Sequence, residues 1–184
     1  MTLIIQNFLL FQVGWLACVL GGASPNNTWV GVVLVCGIIA VHLFKANDVR
    51  PELQLVMVTV LLGTVWDSLL TTLGLYEFAN GVFVAGFAPY WIIAMWALFA
   101  TTLNVSMTWM KGRYLLAAIV GLIGGPLAYY AGHKLGAVNF SNTMMTLTVV
   151  GAGWFFIMPL LVYFSEKFNG YVAVGTVKLE ATQA

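Results

Sequence analysis

One acidic residue, Asp67, lies well inside an apolar stretch of this 184-residue chain. An aspartate at the centre of a membrane helix costs about 2.5–3.5 kcal/mol on insertion scales, so such residues usually face the protein interior. A carboxyl there can carry a proton, act as a general acid or base, or anchor a cationic or hydroxylated group. The alternative is a structural carboxyl that ties two helices together. The sequence leaves both interpretations open.

The depth of each residue along its helix indicates what Asp67 can reach. At a rise of about 1.5 Å per residue, Asp67 lies roughly 6 Å and Tyr129 roughly 10 Å to the outer side of the membrane midplane. Asn104 lies roughly 6 Å to the inner side, a gap of about 12 Å that no hydrogen bond spans. We therefore predict a polar pocket in the outer half of the protein, built from Asp67, Ser68, Trp66, Tyr129, His133 and Trp91.

Gly124, Gly125 and Pro126 lie at a similar depth in another apolar segment. Pro126 has no N–H to donate to the carbonyl of Leu122, and the two glycines loosen the same turn. We predict a helix break there. Broken helices are tolerated at membrane depth where they line protein or a wet cavity, so the break is either a packing kink or a wall of the pocket.

Two segments carry small and polar residues on one helix face. Such residues let helices approach closely in lipid, so these stripes should face other helices first and a ligand second. The first stripe is Thr59, Gly63, Asp67 and Thr71. The second polar stripe is Thr101, Asn104 and Thr108.

The histidines and cysteines do not predict a metal site or a cofactor. His42 and His133 differ in depth by more than roughly 20 Å at about 1.5 Å per residue, so they cannot share one haem or zinc ion. Cys18 and Cys36 fall in apolar segments without a C-x-x-C motif, which is typical of packing residues.

The composition is that of a protein whose solvent is lipid. The chain is 61% hydrophobic and 7% charged, against roughly 25% charged residues in an average soluble domain. Its mean hydropathy is +0.97. A net charge of +1 argues against nucleic acid as a partner and leaves the lipid bilayer as the expected one.

Six segments are long and apolar enough to span a bilayer, which needs about 20 residues each. The first 22 residues contain no Lys or Arg, so we expect a first helix there rather than a cleaved signal. We predict an all-α membrane bundle in one domain, residues 1–166, followed by a short polar cytoplasmic tail, residues 167–184. The predicted helices run from about Ile4 to Gly22, Trp29 to Phe44, Glu52 to Gly74, Tyr90 to Met110, Tyr114 to Ala131 and Thr143 to Ser165.

The positive charges predict the orientation, because Lys and Arg concentrate in cytoplasmic loops. With the N-terminus inside, the outer side holds only Lys134. An even number of helices then returns the C-terminus to the cytoplasm. The predicted inner cations are Lys45, Arg50, Lys111, Arg113, Lys167 and Lys178.

Several motifs resemble a family of short bacterial inner-membrane proteins known as domain of unknown function 2878. The resemblance covers about Asn7 to Leu161 and implies an inner-membrane location without an established activity. It also implies a link with lipid-modifying enzymes, such as cyclopropane-fatty-acid synthases. The motifs are Trp66-Asp67-Ser68-Leu69-Leu70, Pro89-Tyr90-Trp91, Thr101-Thr102-Leu103-Asn104-Val105-Ser106, Trp109, Gly124-Gly125-Pro126, Tyr129, Gly132 and Leu135-Gly136-Ala137.

Three classes of function follow from these observations. The first is an enzyme, or the accessory subunit of one, that acts on membrane lipids. The second is a small-molecule permease or a substrate-capture subunit. The third is a structural or assembly protein without a ligand. No catalytic motif decides whether the protein is an enzyme.

Overall fold

The computed structural model describes residues 2–171, which form six helices that run up and down in a single bundle. The predicted all-α bundle is confirmed. Most of the predicted tail, residues 172–184, lies outside the described part of the chain. The helices are α1 (Leu3–Gly22), α2 (Thr28–Lys45), α3 (Val49–Thr72), α4 (Tyr90–Leu103), α5 (Tyr114–Lys134) and α6 (Thr143–Lys167).

Five of these helices, all except α4, are long and apolar enough to cross a membrane. Their outward faces are apolar: on α3, Leu61 and Val65 are exposed, whereas Thr59, Gly63 and Asp67 are buried. At these three positions the predicted stripe of α3 therefore faces the interior of the bundle. Apolar helices with apolar outer faces define a multi-pass membrane protein.

Helix α4 is shorter than predicted and ends at Leu103 instead of Met110. Near its end, the hydroxyls of Thr101 and Thr102 donate to the carbonyls of Leu98 and Phe99. A one-turn 3-10 helix, Thr108–Met110, follows. At 14 residues α4 is about 21 Å long, less than a hydrocarbon core of about 30 Å. Helix α4 is the most buried helix of the bundle and packs against α1, α2 and α3.

A two-stranded sheet, which the sequence analysis did not predict, caps one end of the bundle. Strand β1 (Tyr76–Phe78) pairs antiparallel with β2 (Val138–Phe140), so that Tyr76 lies opposite Phe140. Both strands follow a helix that ends in a glycine at positive φ, Gly74 at 71° and Gly136 at 84°. The same pair of capping hydrogen bonds closes both helices, as in a Schellman motif. We call this the sheet end.

The opposite end, which we call the lysine end, holds the start of α1, the α2–α3 turn, the 3-10 helix and the end of α6. There the Lys45 ammonium donates to the Gln6 side chain, and the Lys111 ammonium to the carbonyl of Ser165. The sheet end holds Lys134. All predicted inner cations within residues 2–171 thus share one end.

Candidate functional site

Asp67 is fully buried and accepts three hydrogen bonds from neutral donors. The Tyr76 hydroxyl donates to Oδ1 at 2.5 Å, and the Tyr129 hydroxyl donates to the same oxygen at 2.7 Å. The indole N–H of Trp96 donates to Oδ2 at 2.6 Å. All three contacts are N–H or O–H donors, so the carboxyl acts here only as an acceptor. We call Asp67, Tyr76, Trp96 and Tyr129 the Asp67 cluster.

Four different elements place these side chains, and a glycine makes the arrangement possible. Gly63 lies one helical turn before Asp67 on α3. A Cβ atom at Gly63 would lie 1.9 Å from the Trp96 ring, so any larger residue would displace the indole. The small residue in the predicted stripe therefore positions a hydrogen-bond donor as well as allowing α3 and α4 to approach.

Tyr76 reaches Asp67 from the sheet end. It is fully buried, and its ring centroid lies 5.7 Å from that of Tyr129. Burial raises the pKa of the Tyr76 phenol, and the negative charge of Asp67 raises it further. Tyr76 consequently keeps its proton and remains a hydrogen-bond donor.

A cavity of about 370 Å³ lies beside the cluster, with Asp67, Trp96 and Tyr129 in its wall. Ligand pockets are typically about 300–1,000 Å³ and mostly apolar with a few polar groups. Apart from the cluster and Gln12, the wall consists of apolar, glycine and tryptophan residues. Eight aromatic residues contribute to it, namely Phe11, Trp15, Phe78, Trp91, Trp96, Phe99, Tyr129 and Trp154.

The cavity opens between α1 and α5. Both helices contribute to the wall, but their main packing partners are others: α1 packs on α2 and α4, and α5 on α6. The exposed residues of the lining are Gln12, Gly124 and Ala128. Gln12 and Gly124 are near the middle of their helices, so the opening is at mid-bilayer depth and away from both aqueous ends.

The glycines of α5 serve two different purposes. Gly121 and Gly125 pack against α6, where an added Cβ would lie 2.3 Å from the Trp154 carbonyl oxygen and 2.4 Å from the Trp154 ring, respectively. A Cβ at Gly124 or Gly132 would meet nothing within 4 Å. All four glycines line the cavity. The first pair permits helix contact, and the second pair leaves the cavity empty of side chains.

Three of the six predicted pocket residues, Asp67, Tyr129 and Trp91, line this cavity. The other three lie elsewhere. Ser68 accepts from the backbone N–H of Ala88 at 3.0 Å, outside the cavity. Trp66 lies so close to Gly153 on α6 that a Cβ there would be 2.0 Å from its ring.

His133 also lies outside the cavity. Its Nδ1 is 3.0 Å from the carbonyl oxygen of Val138, and its ring stacks on Phe140 with centroids 4.4 Å apart. The histidine therefore supports strand β2 and does not reach Asp67.

At the predicted break, Gly124, Gly125 and Pro126, the helix is not interrupted: α5 runs from Tyr114 to Lys134 with Pro126 inside it. Pro126 removes only the hydrogen bond to the Leu122 carbonyl. Gly151 of α6 lies against that carbonyl and the Pro126 ring, where an added Cβ would be 3.2 Å from each. Close contact with α6 therefore supports the turn that lacks a backbone hydrogen bond.

The three residues of the second polar stripe do not lie on one helix. Thr101 is on α4, Asn104 follows its end, and Thr108 begins the 3-10 helix. The Thr101 and Thr108 hydroxyls donate to nearby backbone carbonyls. Asn104 instead joins a second buried polar cluster at the lysine end.

This second cluster is centred on Glu52, which is fully buried. One oxygen of Glu52 accepts from the Asn104 amide at 2.7 Å and the Gly170 backbone N–H at 2.8 Å. The other lies 2.7 Å from His42 Nε2. The Tyr171 hydroxyl donates to the His42 carbonyl at 2.7 Å. We call Glu52, His42, Asn104, Gly170 and Tyr171 the Glu52 cluster.

Lys111 borders the Glu52 cluster and donates to the Asn104 side-chain oxygen at 2.6 Å. Burial lowers the pKa of Lys111, whereas the charges of Glu52 and Glu166 raise it. The cluster holds the chain after α6 against the α2–α3 turn, where the backbone N–H groups of Asn47 and Asp48 donate to the Gly170 carbonyl. Its role is to join three parts of the lysine end.

The sequence analysis missed Tyr76 and the Glu52–His42 pair, although the sequence carries a signal for each. Leu73-Gly74 and Leu135-Gly136 each precede a Phe by the same spacing, at Phe78 and Phe140, which matches the two paired strands. His42 and Glu52 are five residues to either side of Asn47, the middle of a tight turn between antiparallel helices. Residues at such mirrored positions face one another.

An apolar six-helix bundle around a side-opening cavity with a buried carboxyl is an integral membrane protein with an internal space of ligand size. Residues 4–160 match the family described as protein of unknown function (DUF2878), and the chain belongs to that family. The resemblance seen in the sequence is thus confirmed. Comparison with curated proteins and with solved structures gives no match.

Proposed function

We propose that this protein binds a membrane amphiphile in the cavity and acts on membrane lipids, as an enzyme or as an accessory to one, in the bacterial inner membrane. The observation that carries this proposal is the position of the opening. The cavity opens between α1 and α5 at mid-helix, where the surrounding surface is apolar. A molecule dissolved in the bilayer could enter there directly.

The shape of the cavity also favours an amphiphile. Its α5 wall extends from Val120 to Gly132, a length of about 18 Å at about 1.5 Å per residue. The Asp67 cluster provides a polar contact near the end of this wall that is closer to the sheet end of the bundle. An apolar chain along the wall and a polar head at the cluster would match both parts.

The lateral opening favours lipid binding over the two alternatives. A permease for a polar solute needs a route to the aqueous ends, whereas the exposed lining residues are at mid-helix. A scaffold without a ligand has no use for an open cavity, which Gly124 and Gly132 line without a side chain.

The test compares two glycine-to-leucine variants in a strain that lacks the gene. Gly124→Leu fills the cavity mouth, and Gly37→Leu adds the same side chain on α2, where a Cβ also meets nothing within 4 Å. Lipid composition is measured by mass spectrometry in the deletion strain and after complementation. We expect the wild type and Gly37→Leu to restore the parental lipids, and Gly124→Leu to accumulate normally without restoring them. Full restoration by Gly124→Leu would contradict the proposal.

A further inference from the structure

No Lys, Arg or His bonds to the Asp67 carboxyl in the described part of the chain. Its three hydrogen-bond partners, Tyr76, Trp96 and Tyr129, are all neutral donors. Within residues 2–171 the single ion pair joins His42 and Glu52 at the other end of the bundle. A buried carboxylate without a cation is costly, and a cation placed beside it would be strongly attracted.

The wall around the carboxyl also suits a positive charge. Four of the seven tryptophans, Trp15, Trp91, Trp96 and Trp154, line the cavity. The faces of aromatic rings attract cations within about 6 Å of the ring centroid, and tryptophan attracts them best. Trp96 and Trp154 stack with centroids 5.1 Å apart, and Trp96 also bonds to Asp67. The carboxyl and these stacked rings thus lie together in the cavity wall.

We propose that the cavity selects amphiphiles with an ammonium head group, which is held by Asp67 and the tryptophan rings while the apolar tail lies along α5. This inference rests on the proposed function and adds the substrate class. A neutral head would leave the carboxylate without a counter-charge. An anionic head would be repelled by Asp67 and would meet no Lys or Arg in the cavity wall.

The experiment measures binding to the protein in lipid nanodiscs by tryptophan fluorescence, since the cavity holds most of the tryptophans. The probes are dodecyltrimethylammonium, its uncharged carbon isostere 2,2-dimethyltetradecane, and dodecyl sulfate. We expect the ammonium to bind on the order of tenfold more tightly than the isostere, and the sulfate to bind more weakly than either. Equal affinity for the ammonium and the isostere would overturn the inference and leave the proposed function standing.

Variants separate cavity binding from partition into the bilayer. Gly124→Leu should remove the fluorescence response to the ammonium and the isostere, whereas Gly37→Leu should keep both. Asp67→Asn should bind the isostere as the wild type does and lose the tenfold preference for the ammonium. A preference retained in Asp67→Asn would overturn the inference. If that variant does not fold, the comparison of probes on the wild type still decides. A wild type that binds none of the probes would overturn the proposed function as well.

Discussion

At the scale of single residues, the three donors around Asp67 determine which residues can replace it. An asparagine can place its oxygen toward the Trp96 N–H and its amide group toward the two phenol oxygens, because hydroxyls can rotate to accept. A leucine leaves all three donors without an acceptor, and each buried unpaired group costs about 1–3 kcal/mol.

We therefore expect Asp67→Asn to keep the folded yield and melting temperature of the wild type, and Asp67→Leu to lower both. Fluorescence-detected size exclusion and a thermal scan in detergent provide the measurement. If Asp67→Leu proves as stable as Asp67→Asn, the hydrogen bonds to Asp67 contribute little to the fold.

Tyr171 gives a second prediction at this scale. Burial raises its pKa to about 12, and the charge of Glu52 contributes to the same shift. The phenol of the unfolded chain titrates at about pH 10. The stability linked to Tyr171 is therefore present below that pH and is lost as the pH rises toward 12.

Glu52→Gln should lower the pKa of Tyr171 without returning it to the ordinary value, because burial, the larger cause, remains. The measurement is the tyrosinate absorbance of each protein minus that of the same protein carrying Tyr171→Phe. An unchanged pKa in Glu52→Gln would show that the carboxyl does not influence this phenol.

At the scale of helices, close glycine contacts determine how α3 meets α4 and how α5 meets α6. A Cβ at Gly63 would lie 1.9 Å from Trp96, and one at Gly125 would lie 2.4 Å from Trp154. Leu62 is only partly buried, so its truncation removes little packing.

Gly63→Leu and Gly125→Leu should lower the folded yield far more than Leu62→Ala, and Gly124→Leu should match the wild type. The yields are compared by size exclusion after membrane extraction. Similar yields for Gly125→Leu and Gly124→Leu would mean that the α5–α6 contact is not where the structure places it.

Hydropathy predicted the apolar helices well, but not the end of α4, the course of α5 at Pro126 or the strand that carries Tyr76. It cannot show that α4 ends at Leu103, because the residues after Leu103 are also partly apolar and only their contacts, such as Asn104 with Glu52, turn the chain. The residues around Pro126 do not show that α5 continues through it, because support from a neighbouring helix is not a local property. Tyr76 stayed hidden because three-residue strands have too few positions to show alternation.

At the scale of the whole molecule, depth along the helix axis was more informative than lateral position. Depth alone placed Tyr129 within reach of Asp67 and Asn104 out of reach, and the hydrogen bonds agree with both. Lateral position decides which wall a side chain faces, and Trp66 and His133 have the right depth but face other partners.

The orientation of the bundle stays a prediction, which rests on the cations that share the lysine end. Reporter fusions test it because their activity depends on the compartment. A reversed result at two or more sites would contradict the orientation. Fusions should be periplasmic after Asn27, Leu75 and Asn139, and cytoplasmic after Asp48, Gly112 and Phe168.

The most direct test of the account is whether the cavity holds a membrane molecule. The protein is purified from its own membrane, and native mass spectrometry measures the mass bound to the wild type, Gly124→Leu and Gly37→Leu. We predict that the wild type and Gly37→Leu retain the same amphiphile in about one copy per chain, whereas Gly124→Leu retains none. Identical bound mass in all three proteins, or none in the wild type, would contradict the claim that this cavity is a ligand site.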